Sequence, residues 1–155
     1  MQIKCILNRV QKFQSFVYKD ARMSEEGGVL VLLVDIVARS NSWLICSTCG
    51  KSCRGYDTQK ARRFEFVPIW GMKVFFIYVM RRCDCPDCGV VVEAVPWAEG
   101  KQQLTKTYAW FLAGWAKRMS WKEVARSFTT TWDHVFQAVE MAVRWGLAHR
   151  DIETV

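Results

Sequence analysis

Lys73-Val74-Phe75-Phe76-Ile77-Tyr78-Val79-Met80 runs, through Arg81 and Arg82, straight into Cys85-Pro86-Asp87-Cys88-Gly89. The first segment is β-branched and aromatic, and predicts a strand. The second is a Cys-x-x-Cys-Gly knuckle. Its two-residue gap lets both sulfurs reach one ion, and the following glycine permits a tight backbone turn. Val90 to Val95 predicts a strand leaving this knuckle. Upstream, Trp43 to Ile45 predicts a short strand feeding a second knuckle, Cys46-Ser47-Thr48-Cys49-Gly50. Both cysteine pairs therefore stand at strand ends.

Cys46, Cys49, Cys85 and Cys88 supply four thiolates, the set that zinc takes in closed tetrahedral structural sites. The separation between the pairs exceeds the usual run of about 15–20 residues. A hairpin excursion between them accounts for the excess. Iron suits the same four thiolates, although the basic charge argues against an electron carrier. Closed coordination leaves no position for water, so the expected ion is a structural Zn2+ and not a catalyst. Cys53 and Cys83 read as spare thiols near the knuckles, and Cys5 as incidental.

Outward from this centre, Val29 to Val37 predicts a strand after the turn signal Glu25-Glu26-Gly27-Gly28. Residues 6–23 show weak helical spacing, and 1–28 reads as an N-terminal arm. Residues 50–61 are polar and basic and read as a loop. After Pro96-Trp97 the apolar period becomes helical. Leu104, Tyr108, Phe111, Leu112, Trp115 and Met119 share one face. Ser120 and Glu123 form a capping-box signature for a second helix. Trp132, Val135, Phe136, Val139 and Val143 mark the core face of a third, ending near Gly146. The expected fold class is α+β: a small antiparallel β zinc ribbon (29–98) followed by a three-helix helix-turn-helix module (99–150).

The chain has 155 residues, is 51% hydrophobic and carries a formal net charge of +7, so it can bury a core and favours an anionic partner. The charge is blocked: residues 1–23 hold five Lys/Arg against one Asp, 51–63 five against one, and 104–150 seven against three acidic residues. No apolar leader precedes Met23, and no apolar run approaches the roughly 20 residues of a membrane span. A cytoplasmic chain is the expectation, with reduced cysteines that favour metal over disulfides.

In the helix-turn-helix reading, residues 120–128 form the first helix of the motif and 131–145 the recognition helix. Thr130, Thr131, Asp133, His134, Gln137, Met141 and Arg144 lie opposite its core face. Threonine, histidine and glutamine can touch base edges or phosphates, so Thr130, Thr131, His134, Gln137, Met141 and Arg144 are candidate DNA contacts. Lys117, Arg118 and Lys122 join them as cations. The Trp residues at 110, 115, 121, 132 and 145 read as helix-packing residues. A zinc-stabilised protein-interaction module is the alternative reading.

An ordered set of short motifs carries a resemblance. It comprises the two knuckles, Gly55-Tyr56-Asp57, Arg62-Arg63-Phe64, Val67-Pro68-Ile69-Trp70-Gly71, Arg81-Arg82 and Val95-Pro96-Trp97-Ala98. It continues through Leu104-Thr105, Ala116-Lys117, Ser120-Trp121-Lys122-Glu123-Val124-Ala125 and Trp145-Gly146-Leu147. From about residue 15 to 150 the chain resembles the N-terminal region of bacterial insertion-sequence transposases of the ISL-three type. The resemblance implies a zinc finger, a helix-turn-helix, double-stranded DNA at terminal inverted repeats as partner, and assembly into homo-oligomers. It also implies a catalytic ribonuclease-H-like domain with an acidic triad, which residues up to Asp151–Val155 do not supply. The residues offer no paired carboxylates for two-metal phosphoryl chemistry. The expectation is a DNA binder with no catalytic residues and no strand-transfer activity.

Overall fold

The computed structural model describes residues 2–150; the expectation drawn from Asp151–Val155 lies outside them. The chain divides into two compact units, Met1–Thr105 and Lys106–Val155.

The first unit holds α1 (Ile3–Val10) and six strands: β1 (Phe16–Glu26), β2 (Val29–Ala38), β3 (Leu44–Ile45), β4 (Ser52–Ile69), β5 (Met72–Cys85) and β6 (Gly89–Val92). They form one mixed sheet in the order β1-β2-β5-β4-β3, with β6 also on β5. This overturns the expected architecture of a small antiparallel zinc ribbon with a helix-turn-helix module. The pairing that makes the difference is parallel: Val31 to Asp35 of β2 lie beside Lys73 to Ile77 of β5. A parallel pair joins segments far apart in the chain, and no local pattern announces it.

The strand read from Lys73 onward is the spine of this sheet. One edge of β5 pairs with β4 from Met72 to Asp84, and the other takes β2 along its first half and β6 along Arg82 to Cys85. Alternation along β5 buries Val74, Phe76, Tyr78 and Met80 against Phe16, Tyr18, Val34, Phe64 and Trp97. The segment 1–28, expected as an arm, supplies α1 and the edge strand β1, which pairs with β2 from Phe16 to Glu26. Residues 50–61, expected as a loop, become most of the outer half of β4. Their side chains are almost all exposed, so the strand has no apolar alternation to read.

The boundary expected near residue 98 falls later. Glu65 binds the following segment on both sides: its N–H donates to the Gln103 carbonyl (2.7 Å), and its carbonyl accepts from the Thr105 N–H (3.0 Å) and hydroxyl (2.9 Å). Leu104 thus belongs to the sheet unit and not to the helix that follows.

The second unit holds α2 (Lys106–Ala116), α3 (Trp121–Ser127) and α4 (Trp132–Ala148). The capping box is formed: Ser120 Oγ accepts from the Glu123 N–H (3.3 Å), and Glu123 Oε2 accepts from the Ser120 N–H (2.9 Å). The face of α4 departs from expectation. Val135 and Ala138 are fully buried, whereas Trp132, Phe136 and Val143 are 50%, 42% and 55% exposed. His134, Gln137 and Met141, expected to face DNA, flank the buried seam and are half-buried. The expected reading face of α4 is thus open only in part, with Thr131 and Arg144 exposed. Among the described residues no helix is long and apolar enough to cross a membrane.

Candidate metal centre

The first knuckle begins where β3 ends. The Cys46 N–H donates to the Lys51 carbonyl (2.8 Å), and the Gly50 N–H donates to the Cys46 carbonyl (3.0 Å), closing the turn. Gly50 has φ +73°, a left-handed conformation that a side chain would strain. The second knuckle repeats the solution: β5 runs into Cys85, and Gly89 at φ +75° pairs back with Cys85 to start β6.

Two contacts bring the knuckles face to face. Cys46 bridges Glu93 just beyond β6, and the Ala94 N–H donates to the Ile45 carbonyl (2.8 Å). The long separation in sequence is the β4–β5 hairpin, whose outer ends return to the same place. The Sγ atoms of Cys46, Cys49, Cys85 and Cys88 all lie within 4.8 Å of one another, close enough to hold one metal ion. Cys49 and Cys85 sulfurs are 3.6 Å apart. A tetrahedral ion with bonds of about 2.3 Å sets its sulfurs about 3.8 Å apart, so the spacing fits. Among the described residues no other cluster of three or more His, Cys, Asp or Glu could hold an ion.

The electrostatics prepare the site unevenly. Cys46 is pulled down to about 6, chiefly by the Cys49 backbone N–H and also by that of Thr48, which donates to its sulfur at 3.4 Å. Cys88 is pushed up to about 12, first by its hydrogen bond with Cys49 and then by burial. The metal-free cluster thus favours a thiolate at Cys46 and a thiol at Cys88; a bound cation would hold all four sulfurs deprotonated.

Cys53 and Cys83 are not ligands. They are buried with Leu44, Cys46 and Cys85 in a small core beneath the site, where the Cys53 thiol donates to the Leu44 carbonyl (3.7 Å). Burial pushes the Cys83 thiol up to about 12. Cys5 is exposed and remote in sequence from both knuckles.

Two supports went unseen in the sequence. Lys51 and Asp87, one from each knuckle, form an ion pair across the site. Asp87 raises the lysine, and negative charge on the neighbouring cysteine sulfurs adds to the effect. Opposite charges placed within the two knuckles were the available signal. Behind Cys46, the buried Glu93 accepts from the Tyr78 hydroxyl and from Arg81 through Nε (3.0 Å) and a terminal nitrogen (2.6 Å). Nothing local marks that partnership, because the three residues meet only through the β5–β6 register.

The expected DNA contacts of the helical unit have varied surroundings. Thr131 caps α4 by accepting from the His134 N–H (3.2 Å), and the Thr130 hydroxyl lies 3.0 Å from His134 Nδ1. Arg144 pairs with Glu140 at 3.4 Å. Gln137 and Met141 are half-buried, while Lys117, Arg118 and Lys122 are exposed. The aromatic residues expected as packing side chains are partly open. Trp132 stacks on Phe136 (5.6 Å between centroids), with Trp121 beside both. Trp110 and Trp145 meet edge to face at 5.5 Å while each remains about half exposed, 45% and 53%.

No family model matches the chain, and no curated protein or solved structure matches it.

Proposed function

We propose that this chain is a zinc-stabilised DNA-binding module without catalytic residues of its own. The observation that carries the metal half is the cluster of four sulfurs within 4.8 Å. Zinc is the ion that best suits four thiolates in a closed structural site. The DNA half is supported by a net charge of +7 and by exposed cations in both units. The motif order resembling ISL-three transposases favours terminal inverted repeats as the target.

The test combines metal analysis with binding of the whole chain to a panel of inverted-repeat duplexes over a salt series. The expected result is one zinc per chain and an affinity that falls with salt, by a log–log slope of about −0.9 per phosphate contacted. Salt-independent binding, or none at low salt, overturns the DNA half. A coloured protein containing iron overturns zinc.

The half-open aromatic residues Trp110, Trp132, Phe136 and Trp145 favour a second reading, a zinc-stabilised protein-interaction module that includes self-association. Concentration-dependent assembly that Trp132→Ala abolishes, together with an absence of DNA binding, would select it.

A further inference from the structure

We infer that the outer part of the β4–β5 ribbon, next to the metal centre, is a phosphate-binding surface for duplex DNA, contacted through Arg54 and Lys60. The inference rests on the DNA-binding reading and gives it a place in the sheet unit.

Every residue from Arg54 to Ala61 on β4 is exposed, on both faces of the strand. The paired stretch of β5 buries Met80 and Cys83, so the asymmetry belongs to β4. A strand segment that buries no side chain gains nothing from apolar burial. Its pairing with β5 holds it out, and the knuckles fix the end of the ribbon. The other edge of β4 is taken by β3 only at Ser52 and Cys53. From Arg54 to Ala61 no strand pairs with that edge among the described residues, and it carries bulges between Gly55 and Asp57 and between Thr58 and Ala61; the segment Gln103–Thr105 meets it again only at Glu65.

Charge and bulges on an open edge also protect it from pairing with another chain. Edge protection explains the charge but not its sign, since acidic residues would serve equally well. Residues 51–63 carry Lys51, Arg54, Lys60, Arg62 and Arg63 against Asp57 alone. Most of these are engaged. Arg82 of β5 grips Asp57 with two nitrogens, which cancels the only anion of the stretch. Lys51 pairs with Asp87 and Arg63 with Glu26. Arg62 donates to the carbonyls of Gly100 (3.4 Å) and Gln102 (3.1 Å).

Arg54 and Lys60 remain, with no ion-pair partner among the described residues. Tyr56 stands between them in sequence, 59% exposed, with the Arg82 guanidinium 5.5 Å from its ring centre. Opposite Arg54–Asp57 the sheet is three strands wide, because β6 pairs with β5 along Arg82 to Cys85, so what is offered to phosphates is the exposed β4 strand itself. Even with the two bulges between them, Arg54 and Lys60 are more than about 10 Å apart along the strand, too far to share one phosphate, so they count as two contacts.

The experiment uses the full zinc-loaded chain and duplexes of differing sequence. R54A/K60A should weaken binding to every duplex alike and make the log–log salt slope shallower by about 1.8, with zinc content unchanged. R54K/K60R should keep the slope, because the contacts are to charge and not to shape. Wild-type binding that R54A/K60A leaves intact in both affinity and slope overturns the ribbon assignment while the DNA reading stands. A wild-type chain that binds no duplex at low salt removes both. A loss confined to one duplex sequence also overturns it, since phosphate contacts carry no sequence information.

Discussion

In the sheet unit the largest fully buried side chains are Trp97, Phe64, Phe76 and Met80; in the helical unit they are Tyr108, Leu112, Val124 and Val135. Trp97 alone meets Phe16, Tyr78, Phe13 and Phe64 with ring centroids 4.9, 5.1, 5.4 and 5.9 Å away. The helical unit has more tryptophan in sequence but leaves it at the surface. The sheet unit also has, at one end of β5, four sulfurs close enough to hold one metal ion. The helical unit relies on a thin seam of Tyr108 and aliphatic side chains and on its caps. Aromatic content in a sequence therefore says little about which unit is firmly packed; the register that gathers the rings does.

The largest blow to this contrast is removal of the metal. Apparent zinc-binding free energies in small zinc domains are about 10–16 kcal/mol. Cys85→Ser, or chelation of the wild type, should therefore disorder the segments around both knuckles. Helical circular dichroism should be retained. Stoichiometric zinc retained in Cys85→Ser would refute the ligand set. The pH dependence sharpens the same test. Because Cys46 is held at about 6, metal binding must displace its proton only below that pH. Plotted against pH, the logarithm of zinc affinity should steepen below about 6. A constant slope from pH 5 to 8 would count against the shift.

Trp97→Ala comes next. The residue is 1% exposed, and its indole nitrogen has no hydrogen-bond partner among the described residues, so its contribution is packing. The cost should be about 3–5 kcal/mol, read by denaturant unfolding of the sheet signal. A change below about 1 kcal/mol would mean that the aromatic cluster is not the core of this unit.

The smallest effect falls on the helical unit. Ser120→Ala removes the α3 cap and should cost about 1 kcal/mol. Glu123 is lowered first by the Ser120 hydroxyl and then by the Ser120 N–H. A lowered acid stabilises the fold above its unfolded pKa, and that contribution is lost as pH falls through the lowered folded value. The Ser120→Ala deficit should accordingly be largest near neutral pH and shrink in acid. An equal deficit at pH 3 and pH 7 would show that Glu123 takes no part.

Some of this was written locally enough to read. The four ligands follow from spacing, because a two-residue gap and a glycine constrain the knuckle within five residues. The capping box of α3 spans four residues. Strands β2 and β5 declare themselves by runs of β-branched and aromatic side chains. Each of these signals is short in range and so is each knuckle, helix cap or strand; bringing the two knuckles together is left to the β4–β5 hairpin.

What the tertiary structure alone decided is how those pieces combine. The parallel β2·β5 pairing turned an expected ribbon into a six-stranded mixed sheet. The all-exposed strand through Arg54–Ala61 had no periodicity to reveal it. The core face of α4 was legible only in part: Val135, expected there, is fully buried, but Trp132 and Phe136 are as hydrophobic as a core face requires and still stay half exposed, while the small Ala138 is buried. Hydrophobicity sets which residues can be buried. Which of them are buried depends on the neighbours that the chain brings from a distance, and those neighbours are absent from any local window of sequence.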